Sequence, residues 1–97
     1  MYKYVVSMRA KGGNVGEAVG ALKKLAVFLD KKYSLKTEVC VQQFGPAHMI
    51  YSISDFENLA AAQAVLDKWL VDEGLRALVK KVDLLIEPPT TVLLQSV

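Results

Sequence analysis

Apolar residues along this chain recur at two alternating spacings, and each change of spacing marks a new element. From Tyr2 to Arg9 the run is rich in Tyr and Val and stops at the breakers Lys11-Gly12-Gly13-Asn14, which predicts a first strand ending in a tight connection. Beyond it, Val15, Val19, Leu22, Leu25 with Ala26, Leu29 and Tyr33 follow at steps of three or four, so a helix is expected with one stripe toward a core. Asn14 stands as its N-cap, with Glu17 three residues on in an arrangement close to a capping box. Lys23, Lys24, Asp30 and Lys31 fall largely off the stripe and form a solvated face rather than an anion site.

The stretch Lys36 to Ser54, KTEVCVQQFGPAHMIYSIS, predicts two strands joined at Gly45-Pro46. A two-residue loop there pairs Phe44 with Ala47, Gln43 with His48, Val41 with Ile50 and Val39 with Ser52. Ser54 or Asp55 then caps a second helix, whose stripe includes Leu59, Ala62, Val65 (or Leu66) and Trp69. The pattern breaks at Asp72-Glu73-Gly74, because a glycine inside a helix costs about 1 kcal/mol relative to Ala and two acidic residues suit a new first turn. A shorter helix, Leu75 to Lys81, is expected to follow, with Lys80 and Lys81 at the end where the helix dipole favours positive charge.

The closing segment, VDLLIEPPTTVLLQSV, reads as a strand from Asp83 to Glu87, an interruption at Pro88-Pro89, and a second extended run from Thr91 to Gln95. Proline donates no ladder hydrogen bond, so residues 88–97 are expected to leave the parent sheet and contact a partner subunit. The element order is β-α-β-β-α-β, an α+β class with an antiparallel sheet in one domain spanning 1–97. The strands also fail to alternate cleanly: Tyr4, Val6 and Met8 share a face, yet Val5 lies on the other, and Met49, Tyr51 and Ile53 oppose His48, Ile50 and Ser52. A sheet with helices on one side and water on the other alternates better. A second subunit's sheet is the expected cover, making the protein a homodimer.

Composition narrows the partners. With 53% hydrophobic and 23% charged residues the chain is an ordinary globular domain, and a net charge of +2 is too small for a general polyanion binder. The central strands lack the exposed aromatics and glycine-aromatic motif of an RNA-binding sheet, and no phosphate-cradling glycine loop is present, so nucleic acid and nucleotide are not expected. No run reaches the roughly 20 apolar residues of a membrane span. The one cysteine and the absence of a secretory signal pattern suggest a cytoplasmic location.

The stretch FGPAHMIYSISDFENLAAA, followed after a helix by LVDEGLRALVKKV, resembles the NIPSNAP-like branch of the dimeric α+β barrel superfamily. The stress-responsive and antibiotic-biosynthesis-monooxygenase-type barrels are related alternatives. The resemblance implies a ferredoxin-like subunit and two sheets closing around a central space. It does not choose among the superfamily's activities. The haem-degrading pattern of a first-strand Asn with a His on the second helix is missing, and the paired histidines of the cyclase-like members are reduced to one.

In such a sheet the end of the first strand lies beside the start of the third. Arg9, Gln43, His48 and Asp83 are thereby brought to one rim. There His48 is the candidate proton donor or acceptor, Arg9 the candidate partner of an anionic oxygen, and Gln43 a group that orients a carbonyl. The competing reading makes His48 a strand-end hydrogen-bonding residue and Arg9 with Asp83 a surface pair. Tyr51 and Trp69 are candidates to contact a ligand or simply to pack, and Cys40, mid-strand among apolar residues, is expected to be a small buried hydrophobe. One Cys and one His are far short of a metal set, and no cofactor is implied. Two functions follow: a homodimer that binds a small apolar or aromatic molecule in its barrel interior, or a cofactor-independent monooxygenase or isomerase using His48 and Arg9.

Overall fold

The computed structural model describes all residues, 1–97. Its elements are β1 (Tyr2–Arg9), a 3-10 turn at Lys11–Gly13, α1 (Val15–Tyr33), β2 (Thr37–Val41), β3 (Met49–Phe56), α2 (Leu59–Trp69), α3 (Glu73–Asp83) and β4 (Thr90–Gln95). One antiparallel sheet runs in the order β2-β3-β1-β4, the topology of a ferredoxin-like α+β fold. No helix is long and apolar enough to cross a membrane.

The helices cover one face of β1, β2 and β3 and leave the edge strand β4 exposed. Met8, Ala10 and Ile50 pack with Ala18 and Leu22 of α1, Val82 of α3, and Ile86. A second, smaller core gathers Leu35, Phe56 and Ala62 at the other end, with Tyr4 and Leu29 against it. Ile50 and Leu75 are almost wholly excluded from solvent, and burying a side chain of that size contributes about 1.5–3 kcal/mol. On the opposite face Val5 stands beside Ile53 and Val92, and Lys3 beside Asp55 and Leu94. Nothing within the chain covers Val92 and Leu94, which are about half exposed.

The hairpin has the expected register, with Val41 opposite Ile50 and Val39 opposite Ser52, but the ladder stops there. Phe44 and Ala47 do not pair. Residues 42–48 form a longer loop, held by Gln42 N–H to Met49 O at 3.0 Å. Gly45 adopts φ +106°, and a Cβ there would run into the Gln42 side-chain amide, so the loop needs glycine.

Three local expectations are corrected. Asn14 precedes α1 but makes no side-chain cap bond; its carbonyl accepts from Ala18 N–H instead. Strand β3 continues through Ser54 and Asp55 to Phe56, and the cap of α2 is Asn58, whose Oδ1 accepts from Ala61 N–H at 2.8 Å. The third concerns the C-terminus. Asp83 closes α3 rather than opening a strand, and the tail does not leave the sheet: Thr90–Gln95 is the fourth strand, paired with β1 from Ser7↔Thr90 to Tyr2↔Gln95.

Pro88-Pro89 does interrupt the pairing, as their missing donors require, but only locally. A bridge joins Ala10 to Ile86, with Lys11 N–H to Leu85 O and Glu87 N–H to Arg9 O, both at 2.9 Å. Three steps back along β1 from Ala10 to Ser7 match four steps forward from Ile86 to Thr90. The prolines therefore sit in a bulge with one extra residue, which an edge strand tolerates. Because of that extra residue, Ile86 and Thr91 face the helices together despite their odd separation.

The expected break at Asp72-Glu73-Gly74 is present, although the restarted helix runs from Glu73 to Asp83 rather than from Leu75 to Lys81. Asp72 Oδ1 accepts from Leu75 N–H at 3.1 Å, capping α3. Its other oxygen accepts from the Tyr33 hydroxyl and pairs with Lys32 Nζ at 2.7 Å, which ties the end of α1 to the start of α3.

Candidate functional site

Between the two core clusters the sheet and helices do not close completely, leaving a cavity of about 420 Å³. Its floor is the helix-facing side of β1 and β3: Tyr4, Val6 and Met8 beside Ser52, Ser54 and Phe56. One wall is Leu22, Leu25 and Leu29 of α1; the other is Val65, Leu66 and Trp69 of α2 with Leu75, Val79 and Val82 of α3. A volume of this size, apolar with few polar groups, is typical of sites for small molecules. The Tyr4 and Phe56 rings meet edge to face, with centroids 6.5 Å apart.

Polar groups in the lining are few. The hydroxyls of Thr37 and Ser54 bond to each other at 2.8 Å, and that of Ser7 donates to Thr90 O on the far side of the sheet. The Ser52 hydroxyl, on the cavity floor, has no such protein partner. Thr91, Asp83, the Tyr4 hydroxyl and the Trp69 indole N–H complete the set. Trp69 and Asp83 also line the neighbouring surface groove with Glu73, Arg76 and Lys80, so they stand where cavity and groove meet.

The six residues singled out in the sequence divide into separate places. Trp69 and Asp83 line the cavity, Asp83 as the last residue of α3. Arg9 and His48 are at the rim end of the sheet, outside the cavity lining. The Arg9 guanidinium donates to Ala47 O at 2.6 Å, and its Nε lies 4.0 Å from Glu87, so its ionic partner is Glu87 rather than Asp83. His48 is exposed with a left-handed backbone, φ +64°, its carbonyl accepting from Ala10 N–H at 3.0 Å. Gln43 is exposed in the loop, and its neighbour Gln42 is the residue that accepts the Tyr51 hydroxyl, at 2.5 Å. Tyr51 pairs with Ser7 and Cys40 and shares their face of the sheet, away from the helices.

Cys40 is half-buried on that outer face and donates its thiol to Glu38 at 3.2 Å. This bond and partial burial raise its pKa, which disfavours the thiolate a nucleophile requires. No group of His, Cys, Asp and Glu is arranged to hold a metal ion.

Ser52, Ser54 and Thr91 were not foreseen as cavity residues, although β3 carried a signal. Its helix-facing positions read Ile50, Ser52, Ser54, Phe56, so two hydroxyls stand where a filled core would take large apolar side chains. Thr91 had no comparable signal, since its facing depends on the bulge.

No protein-family model and no curated protein matches this chain. Solved structures do. A NIPSNAP domain protein from Burkholderia xenovorans superposes with a TM-score of 0.85 at 14% identity, covering 100% of this chain and 95% of that one. SnoaB, a cofactor-independent oxygenase from Streptomyces nogalater, gives 0.77 at 11% identity over 98% and 91%. A dimeric protein of ferredoxin-like fold from Bacteroides fragilis gives 0.72 at 20% identity over 98% and 95%. The chain thus has the fold shared by NIPSNAP proteins and monooxygenase-type ferredoxin-like proteins.

Proposed function

We propose that this protein is a homodimer in which each subunit binds a small apolar or aromatic molecule between its sheet and its helices. The observation that carries the reading is the 420 Å³ apolar cavity, floored by Tyr4, Val6 and Phe56 and bordered by Trp69. The binding space is thereby moved from the volume between two sheets, expected from sequence, to the helix side of each sheet. The sheet's outer face, with Val5, Ile53, Val92 and Leu94, is left to pack against a second copy. The Bacteroides fragilis neighbour, itself dimeric, supports that use.

Trp69 is the only tryptophan, so its emission reports on the cavity directly. Titration with a neutral apolar probe such as phenylbutanol should shift that emission saturably. An unchanged spectrum together with no heat of binding would overturn the reading.

A catalytic role for His48 and Arg9 is supported only by the shared fold with a cofactor-independent oxygenase. Neither side chain lines the cavity. On the binding reading, His48→Ala leaves probe affinity within about twofold of the parent, as surface substitutions do. A loss of roughly tenfold, about 1.4 kcal/mol, would bring the rim back into the site.

A further inference from the structure

Resting on the cavity as a ligand site, we propose that its occupant is an organic cation, an apolar or aromatic body carrying a protonated amine. Asp83 is the only charged residue in the lining, and it takes part in none of the chain's ion pairs. Asp83 is exposed and borders both the cavity and the groove that holds Arg76 and Lys80; within the cavity lining itself an acidic ligand meets this carboxylate and no cation.

The Ser52 and Thr91 hydroxyls fit the same ligand. Ser52 and Thr91 both sit opposite Val6, one on each side, and share its face of the sheet. Their Cα atoms are thus about 9–10 Å apart, two strand spacings. A hydroxyl accepts as readily as it donates, whereas an ionised carboxylate only accepts. A head group rich in N–H donors satisfies Ser52, Thr91 and Asp83 together, while a carboxylate or phosphate meets no positive charge and is repelled by Asp83. The apolar body then extends over Tyr4 toward Phe56 and Leu35, where the lining is hydrophobic.

Calorimetry of the full chain at neutral pH with phenylbutylamine, phenylbutanol and phenylbutyrate tests this, since the three ligands share one body and differ in the head. The amine is expected to bind roughly tenfold tighter than the alcohol, as a charge-assisted hydrogen bond allows, and the acid weakest. Asp83→Asn should bring the amine within about twofold of the alcohol, and Asp83→Glu should keep the preference. Circular dichroism establishes that both variants fold. If the alcohol binds but the amine is no tighter, or the acid is preferred, the cation proposal is overturned and the cavity reading survives. If none of the three binds, both are overturned.

Discussion

The Tyr33 hydroxyl donates to Asp72 across the gap between the last residue of α1 and the residue that caps α3. Three donors, Lys32, Tyr33 and the Leu75 amide, converge on that one carboxylate and hold its pKa well below the usual carboxylate range. A depressed folded-state pKa means stability that is complete above the unfolded value, about 3.9, and is lost as pH falls through the folded one. Denaturant unfolding across acid pH should show this loss, and Asp72→Asn should flatten it. A parent whose stability is flat below about pH 4 would contradict the assignment.

The alkaline side follows from the same carboxylate. Hydrogen bonds to Asp72 raise both Lys32 and Tyr33 above their ordinary values. Their contribution is present below the unfolded values and is lost as pH rises through the folded ones. Tyr33→Phe should remove the phenolate part of that decline, followed by absorbance of the ionising tyrosines alongside unfolding.

Ile50 is fully buried in the larger core cluster, facing Met8 and Leu22. Ile50→Ala should cost about 2–5 kcal/mol, read from denaturant midpoints at unchanged slope.

If the apolar outer face is an interface, light scattering should return about twice the 10.7 kDa chain mass. Ile53→Lys, which puts a charge among Val5, Cys40 and Glu38, should return a monomer with the same far-ultraviolet spectrum. A monomeric parent at micromolar concentration would remove the dimer.

Much of this fold was legible in the chain. Periodicity marked β1 and the long helix α1, Gly45-Pro46 set the register of β2 against β3, and Asp72-Gly74 marked the restart of the second helical segment. The C-terminal third was misread for an identifiable reason. The run from Val82 to Ile86 is short and apolar, and such a run fits a helix end or a strand equally well. Taking it as a strand used up the fourth place in the sheet, which left Thr90–Gln95 with nowhere to pair. The same misreading made Asp83 the first residue of a strand, whereas it is the last residue of α3.

The cavity was less legible than the fold. Trp69 could be placed on a helical stripe but not beside an opening, since whether a stripe closes on its sheet depends on helix placement. His48 was prominent as the only histidine, yet its left-handed backbone and exposed loop come from the turn geometry, which residue type alone does not reveal.

The bulge at Pro88-Pro89 takes up its extra residue without changing the phase of the strand beyond it. Deleting one proline would leave three steps on each strand, so Thr90 would still fall opposite Ser7 and the facing of Thr91, Val92, Leu93 and Leu94 would be kept while the local kink is lost. Inserting a residue beside the prolines is absorbed in the same way, as a larger bulge, so long as the pairing with β1 holds. The ladder with β1, and not the count of residues in the connection, thus decides which side chains of the tail reach the pocket and which reach the outer surface.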